Sequence, residues 1–275
     1  NCSRIGTIVE EELGMFRALS SAATGMNAQE LRVSMISNNL ANVSSAGYKK
    51  SRAEFQDLLY DKIRAPGAKT SDQTSAPIGI EVGQGVKVAG TLRDFSLGEF
   101  RQTSNALDLA IEGNGFFQIQ LPNGETAYTR DGSFKLDSQG SLVTRDGYPM
   151  EPSITMPAQA KHWTISKSGV VSAVQAGSHD SVEVGQVQIA NFVNPAGLDA
   201  MGSGIFARTE AAGDPVVGIP GMNGAGFVMS GFQEMSNVKV IEEMVDMIQA
   251  QRAYESNSRV IKTADEMLRT TASLK

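Results

Sequence analysis

Few side chains in this chain are of the types that do chemistry, and fewer stand at useful spacings. The 275 residues hold one cysteine, Cys2, and two histidines, His162 and His179. A single thiol makes no internal disulfide, and no Cys/His set has metal-ligand spacing. Gly113–Phe117, GNGFF, has the outline of a glycine loop but lacks the third glycine, the following helix and the acidic residue of a dinucleotide site. A turn between two strands is expected there. Asp131–Gly140, DGSFKLDSQG, lacks the alternating acidic ligands of a calcium loop, so hairpin turns are expected. Glu242 and Glu243 are neighbours on a helix and point apart; they suit a helix start better than an acid–base pair. Trp163 beside His162 reads as a half-buried strand aromatic. No Ser-His-Asp or Cys-His arrangement can be assembled, so no catalytic, cofactor or metal residue is expected, and no small-molecule substrate.

The elements that would carry any function are more informative. From Phe16 to Val43, Leu19, Ala22, Met26, Val33, Ile36, Leu40 and Val43 fall at three-four spacing on one narrow stripe, with Gln29 as its polar interruption. Gly25 weakens that helix by roughly 1 kcal/mol. Asn42 or Ser44 loosens its last turn and Gly47 is the expected stop. At the far end Asn237 is a candidate N-cap. No glycine or proline occurs from Asn237 to Lys275, which predicts one long helix. Val240, Met247, Tyr254, Ile261 and Leu268 recur every seven residues, with Met244, Ala250 and Ala264 on or beside that side. Gln251, Asn257 and Ser258 put polar groups at or next to the seam.

Between the helices, short β-forming runs alternate with glycine-rich turns: GVKVAGTLRDF, ALDLAIEGNGFFQIQL, TAYTRDGSFKL, GSLVTRDGYPM and VGQVQIANF. TRDG occurs twice, at Thr129–Gly132 and Thr144–Gly147, which fits two Asp-Gly turns flanking a strand pair. Asp57–Pro77 is polar and without clear period after Ile63, an extended connector. The expected fold class is α+β: paired, coiled-coil-like terminal helices, a central mostly antiparallel β domain, and extended connectors. Its expected divisions are an extension at 1–14, a helix at 15–46, a connector and β segment at 47–100, the β domain at 101–226, a return connector at 227–236 and a helix at 237–275.

Bulk properties narrow the partners. Net charge is −6 and no basic block exceeds Lys49-Lys50, which argues against nucleic acid. Aromatics make up 6%, shifting the core towards aliphatic and small side chains. No apolar run is long enough to cross a bilayer as a helix. The stretch NCSRIGTIVEEELG before Met15 lacks the pattern of a secretory signal. Its three glutamates can be encoded by a purine-rich run resembling a ribosome-binding site, so Met15 is the expected start and the preceding residues a non-native or disordered extension. The intact mass of the native protein tests this.

SNNLANVSSAGYKK, from Ser37 to Lys50, and SNVKVIEEMVDMIQAQRAYESNSRVIKTADEML, from Ser236 to Leu268, resemble the amino- and carboxy-terminal signatures of the axial proteins of the bacterial flagellum, which include rod and hook subunits. The resemblance continues through FQDLLYDKIRAPGAKTSDQT, GQGVKV and YTRDGSFKLDSQGSLVTRDGYPM, and covers Met15 to Lys275. The segment from Tyr60 to Pro77 resembles one typical of the distal rod and absent from hook subunits.

The resemblance implies a structural subunit of the distal rod, not an enzyme. It implies a tubular helical homopolymer that transmits torque around an export channel, with terminal helices lining the tube and the β domain outside. It implies export by the flagellar type III apparatus to the periplasmic basal body. The implied partners are other copies of the chain, proximal rod proteins, the hook protein or hook–rod boundary, the outer ring (bushing) proteins, and the rod cap and export apparatus. The expected subunit-interface residues are Leu19, Met26, Val33, Ile36, Asn38, Asn39, Leu40, Asn42, Val43, Val240, Met244, Met247, Gln251, Tyr254, Ser258, Ile261 and Leu268.

A narrow stripe on a glycine-interrupted helix is marginal alone. Both ends are therefore expected to be largely disordered in a lone subunit and to fold when a neighbour covers them. Asn38, Asn39 and Asn42 then bond backbone groups between subunits, or simply cap and fray a surface helix end. Three alternatives stay open: another rod or hook subunit, a secreted β-domain enzyme or glycan-binding module on a helical stalk, and a monomer whose helices close one core. Truncation of the termini and circular dichroism of the monomer separate them.

Overall fold

A computed structural model describes residues 2–67, 69–71, 74–75, 77–157, 160–175 and 181–273. His179 lies outside them. The chain forms two compact units. The first joins Asn1–Leu40, Ser51–Leu92 and Val240–Lys275; the second joins Ala41–Lys50 and Arg93–Lys239.

In the first unit, helix α1 runs from Cys2 to Ala41 and helix α2 from Val240 to Ser273. The helical backbone of α1 reaches back past Met15 to Cys2, where the sequence suggests a disordered extension. Glu10–Leu13 are good helix formers and let an existing helix propagate across Gly14. The helices lie antiparallel. Arg32 Nη2 donates to Asp246 Oδ1 at 2.9 Å, Asn39 Nδ2 donates to Glu243 Oε2 at 3.2 Å, and Gly25 faces Asn257. A Cβ on Gly25 would sit 2.7 Å from Asn257 Nδ2, so this helix-weakening glycine is the point of close approach.

The row of α2 turned inward is Glu243, Ala250, Asn257 and Ala264, again spaced by seven. It is displaced from the expected seam: Val240 and Tyr254 are exposed, while Met247, Ile261 and Leu268 are half-buried. Small residues at the inner row let the backbones approach, and that close approach sets the phase of the pair.

Asp57–Pro77, expected to be a plain connector, is largely a β-ribbon. Ser51–Asp57 pairs with Val86–Arg93, Tyr60–Arg64 with Ile80–Gly83, and Lys69–Ser71 with Thr74–Ser75. Its strands Ser51–Asp57 and Tyr60–Arg64 are mostly exposed, so no two-residue hydrophobic alternation announces them. The ribbon meets α1 at Gly85, whose φ is +108°. A Cβ there would lie 2.2 Å from Thr24 Oγ1.

The second unit is built on a seven-stranded sheet. Its strand order is Asp199–Gly202, Ile205–Ala207, Thr126–Thr129, Phe116–Gln120, Ile189–Asn191 and Val216–Gly218, with Met150–Glu151 also pairing with Phe116–Gln120. All the resolved pairings are antiparallel. Alternation along Phe116–Gln120 sends neighbouring rings to opposite faces. Phe117 joins an aliphatic core with Leu109, Ile111, Phe134, Leu142 and Ile189. Phe116 joins Tyr128, Phe192, Phe206 and Phe95 in edge-to-face contacts with centroids 4.8–6.0 Å apart. The aromatic residues are few, and several are gathered in this one cluster.

Gly113 and Gly115, with φ of +119° and +129°, turn the Leu109–Glu112 strand into Phe116–Gln120, as expected for GNGFF. Asp137 and Gly140 close the hairpin between Lys135–Leu136 and Leu142–Val143. Trp163 packs half-buried against the aliphatic core. The expected return connector at 227–236 is mainly two strands: Phe227–Ser230 pairs with Leu109–Glu112, and Phe232–Glu234 with Phe100–Gln102.

Candidate functional site

Of the asparagines that end α1, Asn39 makes its hydrogen bonds within the chain. Asn39 is buried. Its Oδ1 accepts from Ser51 N at 3.1 Å and its Nδ2 donates to Ser51 O at 2.9 Å, besides the bond to Glu243. One amide thus satisfies both backbone groups of the residue that opens the ribbon. Asn42 accepts the Ser45 hydroxyl at 3.1 Å in the turns that follow α1. Asn38 is exposed. The helix ends at Ala41, ahead of Gly47, and Gly47 has another task. Its φ is +64° and its N–H donates to Glu234 O at 2.8 Å. A Cβ there would stand 2.6 Å from Asp131 N.

Lys49, two residues on, is completely buried at 0% exposure. Its Nζ donates to Glu234 Oε1 and to Ser96 O, both at 2.6 Å. Gly98 N donates to the same Glu234 oxygen at 3.1 Å. Arg130 Nε lies 3.7 Å from Glu234 Oε2, and its Nη2 donates to Gly113 O at 2.6 Å. Two cations therefore share one buried carboxylate.

Asn237 completes the knot. It does not cap α2, which starts three residues later. Its Oδ1 accepts from Lys50 N at 2.8 Å, and its Nδ2 donates to Asp94 O at 2.9 Å and Ser96 Oγ at 3.1 Å. These groups fasten the backbone leaving α1 to the backbone returning to α2, all inside the second unit.

Burial lowers the Lys49 ammonium below the ordinary lysine range of 10.5; Glu234 pulls the other way and Arg130 adds to the lowering. A lysine lowered in the folded state binds fewer protons there than in the unfolded state, so stability rises with pH between its folded pKa and 10.5. Tyr128, raised above 10.0 by burial, works against stability above that pH. Urea unfolding is thus expected to show stability rising with pH from the folded pKa of Lys49 up towards 10, and this rise is expected to disappear in Lys49→Met. An unchanged slope in that variant refutes the assignment.

Other expected interface residues stay on or near the helix surface. Leu19, Met26, Val33, Leu40, Val43, Met247, Ser258, Ile261 and Leu268 are half-buried, Ile36 is buried, and Val240, Met244, Gln251 and Tyr254 are exposed. The structure adds Ile241, 79% exposed, with Val245 and Ile248 on the same outward side of α2. Sequence reasoning missed the Lys49, Arg130 and Glu234 cluster. Lys49 stood in the signature but read as half of a basic pair, and nothing local marks Arg130 or Glu234 as buried.

Comparison with known proteins gives a consistent result. The family described as "Flagella basal body rod protein" matches residues 19–49, "Flagellar hook protein FlgE/F/G D1 domain" matches 110–173, and "Flagellar basal body rod FlgEFG protein C-terminal" matches 229–274. The flagellar basal-body rod protein FlgG of Borreliella burgdorferi is 48% identical over 263 residues, covering 95% of this chain and 99% of that one. Those of Caulobacter vibrioides and Bacillus subtilis are 47% and 39% identical, covering 94% and 95% of this chain and 99% and 100% of theirs. The first and third matched segments contain the two ends of the buried knot, Lys49 and Glu234, and the second contains Arg130. The chain belongs to the flagellar basal-body rod protein family, a family of structural subunits and not of enzymes.

Proposed function

We propose that the chain is a subunit of the distal rod that polymerises with copies of itself into a tubular drive shaft around an export channel. The observation that carries this reading is the division of labour on α2. Its row of Glu243, Ala250, Asn257 and Ala264 is spent inside the chain, while Val240, Ile241, Met244, Val245 and Ile248 form an uncovered apolar stripe. Singly exposed apolar residues are ordinary, but a stripe over successive turns needs a cover. In a helical homopolymer that cover is a neighbouring subunit, through a contact of one patch with a different patch.

The inner pair alone is weakly held. It joins small side chains and a few polar contacts, and Gln29 Oε1 is buried with no hydrogen-bond partner among the described residues, a cost of about 1–3 kcal/mol. Coiled-coil-like order of both helices is therefore completed by neighbours, with Met247, Gln251, Tyr254, Ser258, Ile261 and Leu268 at the margins of the outer contact. On this reading the subunit reaches the periplasm through the type III apparatus. There it meets the proximal rod, the hook boundary, the outer rings and the rod cap.

The test is Ile248→Asp, with Met247→Asp beside it. A carboxylate desolvated in a helix interface costs several kcal/mol, so rods are expected to be at least about tenfold fewer while the β body melts as before. Normal rods from both variants refute the reading. The ribbon supplies a second contact: Leu59, Ile63 and Ile78 are exposed apolar residues on it. Deleting Asp57–Pro77 is expected to leave secretion of the subunit intact and to give shorter or softer rods in electron micrographs; unchanged length and stiffness count against that contact.

A further inference from the structure

Among the described residues, the main sheet of the second unit ends in two open edges. One is the Val216–Gly218 strand and the other is Asp199–Gly202. An open edge offers unpaired backbone N–H and C=O groups, and natural proteins blunt such edges with charges, prolines or bulges. The Val216–Gly218 edge is short and lies between Pro215 and Pro220, but its three residues carry no charge, proline or bulge. Val216 and Val217 are 50% and 42% exposed, and the loop beyond adds exposed Ile219 and Met222 beside Phe227. A Cβ on Gly221 would lie 2.5 Å from the Phe227 ring, so loop and ring form one patch with the strand end. The opposite edge is exposed at all four residues and includes Met201; its bulge between Ala200 and Gly202 leaves the Asp199–Ala200 end regular.

Resting on the distal-rod reading above, we propose that the β body makes its own subunit contact: the Val216–Gly218 edge of one copy adds to the Asp199–Ala200 edge of the next. A polymer of identical subunits must match one patch to a different patch, and the two ends of a single sheet supply such a pair. Edge addition gives main-chain hydrogen bonds for affinity and alternate side chains for specificity. Here Val217 from one copy meets Ala200 from the other, with Ile219 and Met222 exposed in the loop beyond the strand. The contact is independent of α2, because it lies wholly on the second unit.

The experiment places one cysteine on each edge, Val217→Cys and Ala200→Cys, in a full-length chain with Cys2→Ala. Rods isolated from cells and mildly oxidised are expected to give a ladder of covalently linked subunits on a denaturing gel, and neither single-cysteine chain gives more than traces of dimer. Directly opposed strand positions bring Cβ atoms to about 4.5–5.5 Å, close enough for such a bond with small adjustment. Val217→Lys, in the otherwise natural chain, is expected to cut rod number at least tenfold with an unchanged melting curve. Rods that contain the double-cysteine chain but yield no ladder overturn the proposal, and so do normal rods from Val217→Lys. The same preparations separate this failure from that of the parent reading: absence of the unaltered chain from purified rods refutes the distal-rod role, whereas its presence without the ladder refutes only the edge contact.

Discussion

Glu234→Ala is expected to destabilise the second unit by about 3–5 kcal/mol, enough to unfold a domain of ordinary stability. The side chain is fully buried and accepts hydrogen bonds from Lys49 Nζ and Gly98 N, with the Arg130 guanidinium close by. Removing it leaves two cations in the interior without a counter-charge. Surface pairs in the same chain give the contrast: Arg32 and Asp246, each more than a third exposed, are worth at most about 1 kcal/mol. Replacing the whole cluster, as Lys49→Met, Glu234→Leu and Arg130→Met together, is expected to be far milder than Glu234→Ala alone, because no charge is then stranded. Urea unfolding of the full chain followed by Tyr and Trp fluorescence measures both variants against the parent. A Glu234→Ala chain within 1 kcal/mol of the parent contradicts the electrostatic account of the knot.

The second large effect separates two glycines that share one four-residue motif. Gly132 and Gly147 both end a TRDG motif. A Cβ on Gly132 would fall 1.6 Å from Leu109 O, where Leu109 N also bonds Gly132 O at 2.9 Å. No rotamer relieves that collision, because the obstacle is backbone. Gly132→Ala is expected to cost about 3 kcal/mol or more and to give poorly soluble protein. Gly147 has φ +88° with open space around it. Gly147→Ala pays only for a left-handed turn, about 1–2 kcal/mol. Thermal melts of the two variants side by side decide the matter; equal losses contradict it. The motif's arginines divide in the same way: Arg130 is buried in the knot, and the Arg145 side chain is 62% exposed.

These contrasts show what could be read from the letters and what could not. Two long helices, a glycine-punctuated antiparallel β region, the GNGFF turn and the Asp137–Gly140 hairpin follow from local period and turn chemistry. Those signals act within about ten residues of chain. The phase of the helix pair does not follow, because hydrophobic periodicity picks out Val240, Met247 and Tyr254, whereas close approach selects Gly25, Ala250 and Ala264 for size. The seam found in the sequence is instead largely the face or margin that α2 keeps outward. Asn39 looked like a group awaiting a neighbouring subunit; its partners are Ser51, twelve residues on, and Glu243 on the other helix. The ribbon strand Tyr60–Arg64 was invisible because a strand exposed on both faces carries no alternation. The buried cluster was invisible because its members are far apart in the chain and each is of a type ordinarily found in water.

The hydrogen bond from Lys50 N to Asn237 Oδ1, 2.8 Å long, has an evolutionary corollary. Asn237 also donates to Asp94 O at 2.9 Å, so the chain from Asp94 to Asn237, all within the second unit, is a closed excursion that leaves and rejoins at one neck. Such an excursion can lengthen, shrink or be exchanged for another without altering where the helices start, provided the neck is kept. Diversity among related axial subunits is then expected to accumulate as cassettes hung from a common neck, much as instruments are changed on a standard mount.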